Sequence, residues 1–196
     1  MSIAGPLHTR FELVLPDWMN PFLAAWSEPL DSDEGRMRLV VALAAENVRQ
    51  ETGVPFAAAV LEEQSGRLLG AGVNRVTALG LSLAHAEMLA LSLAQRATED
   101  WNLGARQAVQ LVTSCEPCAM CFGAIPWSGI SSVVWGACKE DAEAAGFDEG
   151  DKPQGWTGTL EARGIRTRGG VLRSEAAAIL QHYARGNGAI YHPGPN

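Results

Sequence analysis

The hydrophobic residues of this chain recur with two different periods, one typical of helices and one typical of strands. From Arg36, the segment RMRLVVALAAENVRQE places apolar residues at helical spacing and stops at Thr52 and Gly53, where a helix C-terminus is expected. The next segment, PFAAAVLEEQSGRLLGAGVN, contains two apolar runs separated by the turn residues QSG, which predicts a β-hairpin. Residues 83–97 are apolar almost all round the helical circumference and predict a second, buried helix.

The second half of the chain alternates strands with helices. The runs AVQLVTS and SSVVWGA predict strands, and each is followed by a helical segment, CEPCAMCFGAIPW after the first and KEDAEAA after the second. The stretch GFDEGDKPQGWTG predicts a loop, and a short strand is expected in IRTRGGV. Ser174 is expected to cap a last helix that closes at Gly186. We therefore predict a three-layer α/β/α sandwich with a mixed central sheet of about five strands.

The first part of the chain follows neither period and is rich in Pro, Trp and acidic residues. We predict an N-terminal arm over residues 1–35, which packs on the core or on a partner subunit, and one domain over residues 36–196. A chain of 196 residues with 47% hydrophobic residues is long enough for one hydrophobic core, and no internal repeat or low-complexity linker indicates a second domain.

The net charge, the apolar runs and the cysteine count indicate which partners and which cellular compartment to expect. No run approaches the roughly 18 apolar residues that cross a bilayer, and the N-terminus has no basic segment followed by an apolar run. Four cysteines are too few for a disulfide scaffold. We therefore expect a cytoplasmic protein without a membrane partner. The net charge of −7 disfavours nucleic acid as a partner without excluding it.

Three residues have the spacing of a zinc site. His85 lies near the start of the second predicted helix, and Cys118 and Cys121 lie at the start of the third. Pro117 is expected at the first helical position, where its missing N–H would be unpaired anyway. Cysteines three residues apart share one helix face, and a helix N-terminus favours their thiolate forms. One imidazole and two thiolates leave the fourth position of Zn²⁺ open to water, as in catalytic sites.

Glu87 follows His85 by two residues, so it lies close to the metal without being needed as a ligand. It can move protons between water, a ring nitrogen and a departing amine. Each part alone has another interpretation, because a buried histidine is usually a core residue and CxxC also occurs in thioredoxin-like proteins. A zinc-stabilised binding module without activity is a further alternative. Cys115 is expected to be a buried thiol, since a fourth protein ligand would close the site, and Cys138 is expected to pack in the core.

The pattern H-x-E followed by P-C-x-x-C resembles the cytidine deaminase superfamily. The segments PFAAAV, AEAAGFDEG and GNGAIYHPGPN, together with Asn74, resemble its guanine deaminase branch. This resemblance implies hydrolytic deamination of guanine to xanthine and ammonia, with one Zn²⁺ per subunit. The alternatives are another free amino-heterocycle, such as an ammeline-type aminotriazine or cytosine, and, less favoured, a tRNA adenosine.

The same resemblance assigns roles to residues. Glu87 and Glu149 are the implied catalytic acids, and Asp148 is the alternative to Glu149. A homodimer is also implied, in which the C-terminal tail with Tyr191 and His192 covers its own pocket or that of the partner subunit. The residues implied to contact the nucleobase substrate are Asn74, Phe56, Ala86, Asp148 and Tyr191. Those expected at a subunit interface or in the core are Trp127, Trp135 and Trp156.

Overall fold

The chain folds into a mixed sheet of five strands. The computed structural model describes residues 8–186 and 188–191. The strands are β1 (Ala57–Glu62), β2 (Leu68–Val73), β3 (Val109–Cys115), β4 (Ser132–Ala137) and β5 (Arg166–Arg168), and they lie in the order β2-β1-β3-β4-β5. β1 is antiparallel to β2 and β3, whereas β3, β4 and β5 are parallel. The predicted α/β sandwich with a mixed sheet is confirmed.

Within the described residues, eight α-helices connect and cover these strands. Their bounds are α1 (Met19–Ala25), α2 (Asp33–Arg49), α3 (Val76–Leu79), α4 (Ala86–Thr98), α5 (Ala119–Ser128), α6 (Lys139–Ala144), α7 (Trp156–Glu161) and α8 (Arg173–Arg185). In the part of the chain that the structure describes, none of these helices has the length and apolar character needed to cross a membrane.

Successive residues of β1 face opposite layers, as the pleat of a strand requires. Ala58 and Val60 belong to the hydrophobic cluster that contains α4 and α5 residues. Ala57 and Ala59 belong to the cluster that contains α1 and α2 residues. All six residues of β1 are buried, which explains its continuous apolar run.

Two glycines of β2 allow α4 to lie directly on the sheet. A Cβ atom placed on Gly72 would lie 2.4 Å from the carbonyl oxygen of Ala86, and one placed on Gly70 would lie 2.6 Å from that of Ala90. No side chain fits at these two positions of the strand. The contact fixes the start of α4, where His85 and Glu87 lie, against the sheet.

Three predicted details of the helices are wrong. Pro117 is not the first helical residue, because Cys118 has extended backbone angles and forms the N-cap of α5. Ser174 is not a cap, because α8 begins one residue earlier after Leu172, which has a φ of 50°. The predicted loop ends in a short helix, α7, whose first residue Trp156 packs on two aromatic rings. In the last case tertiary contacts decide what local propensity leaves open.

The N-terminal segment packs on the α2 face of the sheet. Met19 of α1 is fully buried in the same cluster as residues of α2 and β1. The indole N–H of Trp18 donates to the hydroxyl of Thr52 at 2.9 Å, which ties α1 to the turn after α2. The division into an arm of residues 1–35 and a domain of residues 36–196 stays a prediction.

A group of arginines and their polar partners lies at the amino ends of β3 and β4. We call it the arginine cluster, and its arginines are Arg36, Arg67, Arg166 and Arg168. Arg36, only 4% exposed, donates to the carbonyl oxygens of Leu30 and Glu63 and to the side chain of Gln110, at 2.7–2.8 Å. The Glu63 carboxylate accepts two bonds from Arg166 at 2.5 and 2.6 Å. The other members pair with each other through charged side chains: Arg168 with Asp33 and Glu34, and Arg67 with Glu62.

Candidate active site

The starts of two helices bring His85, Cys118 and Cys121 together at the carboxyl end of β3. His85 is the N-cap of α4, and Cys118 is the N-cap of α5. The His85 Nδ1 atom lies 3.4 Å from the Cys118 sulfur and 3.7 Å from the Cys121 sulfur. A tetrahedral Zn²⁺ with Zn–S near 2.3 Å and Zn–N near 2.0 Å would hold such N and S atoms about 3.5 Å apart. The three side chains therefore fit the predicted metal.

The negative charge on the two cysteine sulfurs also favours the binding of a cation. The hydrogen bond from Cys121 lowers the pKa of the Cys118 thiol to about 4, and the neighbouring His85 adds to this effect. The same bond, together with burial, holds the pKa of Cys121 well above its usual value. Two sulfurs thus share one proton and retain negative charge in a buried place. A divalent ion that displaces this proton would compensate the charge.

Glu87 lies beside this cluster in the first turn of α4, and it is 7% exposed. Burial and, secondarily, the negative charge of Cys118 raise the pKa of its carboxyl group. The hydroxyl of Thr113 on β3 lies 3.4 Å from its Oε1 atom. A carboxyl group with a raised pKa, next to a metal site, can both accept and donate protons near neutral pH.

A cavity of about 680 Å³ opens over the metal cluster and Glu87. All but two of the site residues that the sequence predicts line it. The exceptions are Cys121, which is fully buried beneath the cavity floor as part of the metal cluster, and Ala86, which is fully buried in the core against β2. The lining residues are Phe56, Asn74, Val76, Gly80, Ser82, His85, Glu87, Cys115, Glu116, Cys118, Ala119, Met120, Phe147, Asp148, Glu149, Gly150, Ile190 and Tyr191.

Two phenylalanines form an apolar wall of the cavity. The rings of Phe56 and Phe147 meet edge to face, with centroids 4.8 Å apart. Phe147 also stacks on Tyr183 of α8 at 6.0 Å, which connects the wall to a second helix. Such a surface suits a flat heterocycle. Phe147 was not predicted, although it begins the FDEG segment on which the resemblance to guanine deaminases depends.

The loop after α6 carries the two acids between which the sequence left a choice. Glu149 is 6% exposed, and burial followed by the charges of Cys118 and Glu87 raises its pKa to about 8. Its carbonyl oxygen accepts the N–H of Ala119 at 2.9 Å, so this loop caps α5. Asp148 is exposed and accepts the N–H of Gly150 at 2.8 Å. Glu149 is therefore the acid buried beside the metal cluster.

The C-terminal tail enters the cavity at Tyr191. Its phenolic oxygen accepts the side-chain N–H of Asn74 at 2.9 Å and lies 3.2 Å from His85 Nε2. Asn74 also accepts the N–H of Val76 through its Oδ1 atom at 3.1 Å. Tyr191 thus contacts both a predicted base-binding residue and a predicted metal ligand. His192, predicted as a second tail residue over the pocket, lies outside the described residues.

Two further cysteines lie near the site without joining the metal cluster. Cys115 is 3% exposed, and its thiol points to the carbonyl oxygen of Cys138 at 3.7 Å. Burial raises its pKa well above the usual value, which keeps the thiol protonated. The predicted buried thiol is thus consistent with its surroundings. Cys138 is half-buried as the N-cap of α6.

Comparison with known proteins gives a family and close structural neighbours. The family model described as the cytidine and deoxycytidylate deaminase zinc-binding region matches residues 30–137. The guanine deaminase of Bacillus subtilis is 39% identical over 115 residues, which cover 58% of this chain and 69% of that protein.

Solved structures extend the similarity over most of the chain. The guanine deaminase from Nitrosomonas europaea is 45% identical, with a TM-score of 0.84, and the match covers 92% of this chain and 100% of the other. A mutant of the protein NE0047 in complex with 8-azaguanine is 46% identical, also with a TM-score of 0.84, over 90% of this chain and 98% of the other.

Proposed function

This chain belongs to the cytidine and deoxycytidylate deaminase family with a zinc-binding region, and we propose that it hydrolyses guanine to xanthine and ammonia. The observation that carries the choice of guanine is Glu149, a buried carboxyl group on the same cavity as the metal cluster. Guanine presents N1–H and a 2-amino group as adjacent donors, and a carboxylate can accept both. The 8-azaguanine bound by the related protein has this same edge.

Each residue of the site has a role in this proposal. His85, Cys118 and Cys121 hold one Zn²⁺, which supplies a water nucleophile at neutral pH when it is bound. Glu87 accepts a proton from the attacking water and delivers it to N3 of the base as the new C–O bond forms at C2. Phe56 holds the ring against the apolar wall.

The second half of the reaction breaks the bond between C2 and the amino nitrogen. Glu87 can reach this nitrogen and the attacking oxygen, so it carries the proton from one to the other. Glu149 accepts N1–H and the amino group as a carboxylate, and its raised pKa allows it to take up a proton and pass it on to the amino nitrogen as the C–N bond breaks. Asn74 and Tyr191 are hydrogen-bonding groups for the remaining edge of the purine.

The charge of the cavity supports a free base over a phosphate-bearing substrate. Four carboxyl groups line it, those of Glu87, Glu116, Asp148 and Glu149, and no lysine or arginine lines it among the described residues. A phosphate group would meet repulsion from these carboxyl groups, and no basic side chain among the lining residues offsets it. This argues against tRNA adenosine as the substrate.

Ammonia release from zinc-loaded protein tests the proposal. The panel contains guanine, guanosine, cytosine, an aminotriazine of the ammeline type and a tRNA anticodon stem-loop, with xanthine identified by its ultraviolet spectrum. We expect guanine to give the highest kcat/KM. A higher kcat/KM for the triazine or cytosine would identify that compound as the substrate and would leave the proposed mechanism unchanged. Zinc-loaded protein without ammonia from any substrate would favour the binding-module alternative.

We further propose a homodimer that forms through the outer face of α5. The residues of this face are Met120, Gly123 and Trp127, all exposed, and Trp127 is 79% exposed. An exposed tryptophan on a helix that is apolar all round suits a subunit interface. Trp135 is buried and Trp156 half-buried, so they serve the core. Sedimentation equilibrium of wild type and Trp127→Glu tests this, with a dimer expected only for the wild type.

We also propose that the protein works in the cytoplasm. All four cysteines are free, and two of them carry the metal cluster. A reducing compartment keeps Cys118 and Cys121 available as thiolates, whereas an oxidising one would favour their pairing.

A further inference from the structure

Lys152 is a buried cation next to the active site to which the deamination mechanism gives no role. Its side chain is 4% exposed, whereas the cation of every other ion pair among the described residues is at least 32% exposed. The chain has 13 arginines and two lysines, Lys139 and Lys152. A buried lysine in such a sequence is expected to have a specific purpose.

The Lys152 ammonium group makes two hydrogen bonds and one cation–π contact. Nζ lies 2.5 Å from Glu116 Oε1 and 2.7 Å from the carbonyl oxygen of Pro117. It also lies 4.6 Å from the centre of the Trp156 ring, in a cation–π contact. Glu116 and Pro117 immediately precede the metal ligand Cys118. Lys152 itself follows Glu149 by three residues.

A second bond runs between the same two segments. The carbonyl oxygen of Glu149 accepts the N–H of Ala119, and the carbonyl oxygen of Pro117 accepts from Lys152. The loop of residues 149–152 and the segment of residues 117–119 are therefore joined at both ends. Trp156 packs on Phe122 of α5 at 5.8 Å, which holds the far end of the loop on the same helix. The backbone of Glu149 thus has a fixed position relative to the two cysteines.

We propose that Lys152 is a positioning residue for the deamination reaction, because its ammonium group fixes the loop that carries Glu149 to the start of the helix that carries the cysteines. Lys152 acts through Glu149 and does not touch the substrate, since it does not line the cavity. The expected loss of kcat rests on the proposed function, whereas the attachment of the loop to the helix by Lys152 does not. A small displacement of Glu149 would weaken its bonds to the reacting edge of the base.

Kinetics in two backgrounds test the proposal. In zinc-loaded protein, we expect Lys152→Met to lower kcat for guanine by about 10- to 100-fold, with one Zn²⁺ per chain retained. In the Glu149→Gln background, the same change should lower kcat by less than about twofold, because the group that it positions is already absent. Lys152→Arg, which keeps the charge, should restore part of kcat. Lys139→Met is the matched control and should retain wild-type kcat.

Amide hydrogen exchange tests the clamp independently of the substrate. We expect the N–H of Ala119 to exchange about tenfold faster in Lys152→Met than in wild type or Lys139→Met. Unchanged exchange, or equal loss of kcat in both backgrounds, would overturn the proposal. If wild type releases no ammonia from guanine, the proposed function fails while the exchange result still decides the role of Lys152.

Discussion

The two ends of strands β3 and β4 both carry buried carboxyl groups, but they surround them differently. At the amino ends, Glu62 forms bonds with Arg67, Ser65 and Gln107, and the first of these contributes most to lowering its pKa to about 2. At the carboxyl ends, burial raises the pKa of Glu149 to about 8, and Glu87 shifts in the same direction. Glutamates at the two ends of one sheet thus have pKa values on both sides of neutrality.

The difference separates polar groups that stabilise the fold from polar groups that perform chemistry. Each carboxylate of the arginine cluster meets a guanidinium group, so its charge is compensated. Glu87 and Glu149 have no guanidinium partner in the cavity, and burial raises the pKa of both carboxyl groups. Replacement of a carboxyl group should therefore lower stability but not turnover at the amino ends, and lower turnover but not stability at the carboxyl ends.

The largest effect is expected for Glu87→Gln. Loss of the group that transfers protons should lower kcat for guanine by about 10³-fold, while the zinc content stays at one per chain. The melting temperature should not fall, because the change removes a buried carboxyl group without a cation partner. Glu63→Gln is the matched change in the arginine cluster, and it should lower the melting temperature while kcat stays within twofold. Wild-type turnover by Glu87→Gln would contradict its assigned role.

Arg36→Leu is expected to lower stability without lowering turnover. This change leaves the carbonyl oxygens of Leu30 and Glu63 and the side chain of Gln110 without their buried donor. We expect the free energy of unfolding to fall by about 3 kcal/mol, measured by urea denaturation. The kcat of the folded fraction should equal that of wild type. A loss of zinc or of kcat in folded protein would show that the two ends of the sheet are coupled.

The pH dependence of stability should have opposite signs at the two ends. Glu62 has a pKa below the unfolded value of about 4.3, so it stabilises the fold above that pH and loses this effect as the pH falls towards 2. Glu149 has a pKa above the unfolded value, so its cost to stability is absent below pH 4.3 and grows until about pH 8.

Thermal unfolding of two glutamine variants measures these slopes. In metal-free protein, Glu62→Gln should lose stability relative to wild type at pH 6, and less so at pH 3. Glu149→Gln should gain stability relative to wild type at pH 8, and little at pH 4. Parallel curves for the two variants would contradict the contrast between the two ends.

The smallest effect is expected for Arg168→Ala. Arg168 pairs with Asp33 and Glu34 but is 53% exposed, so solvent screens the interaction. We expect a loss of at most about 1 kcal/mol, which 0.5 M salt should reduce further. A loss as large as that of Arg36→Leu would show that exposed and buried members of the arginine cluster act as one unit.

Local patterns in the sequence were sufficient to predict most elements of the fold. The hairpin of β1 and β2 and the strands β3 and β4 follow from runs of apolar residues, because each run must be buried on at least one face. The metal cluster follows from His85, Cys118 and Cys121, because their spacing relative to two helix starts already fixes which side chains meet. The assignment of Zn²⁺ agrees with the family that matches the chain.

Contacts between distant segments could not be predicted in this way. Tyr191 meets Asn74 across 117 residues of sequence, and Lys152 meets Glu116 across 36. Neither pair has a periodic signal, because each depends on where a loop or tail returns to the sheet. Which of Asp148 and Glu149 is buried likewise depends on which side chain the loop turns inward, and the buried one is Glu149. Its role as the second acid stays a prediction.

The contact between Gly72 and the start of α4 has a consequence for anyone who would retarget this protein by saturation mutagenesis. Any other residue at position 72 would push on the Ala86 carbonyl group, and hence on the backbone between His85 and Glu87. A library should therefore tolerate many residues at the cavity rim but only glycine here. Residue 72 carries no functional group, yet it should be among the least variable positions in any population selected for turnover.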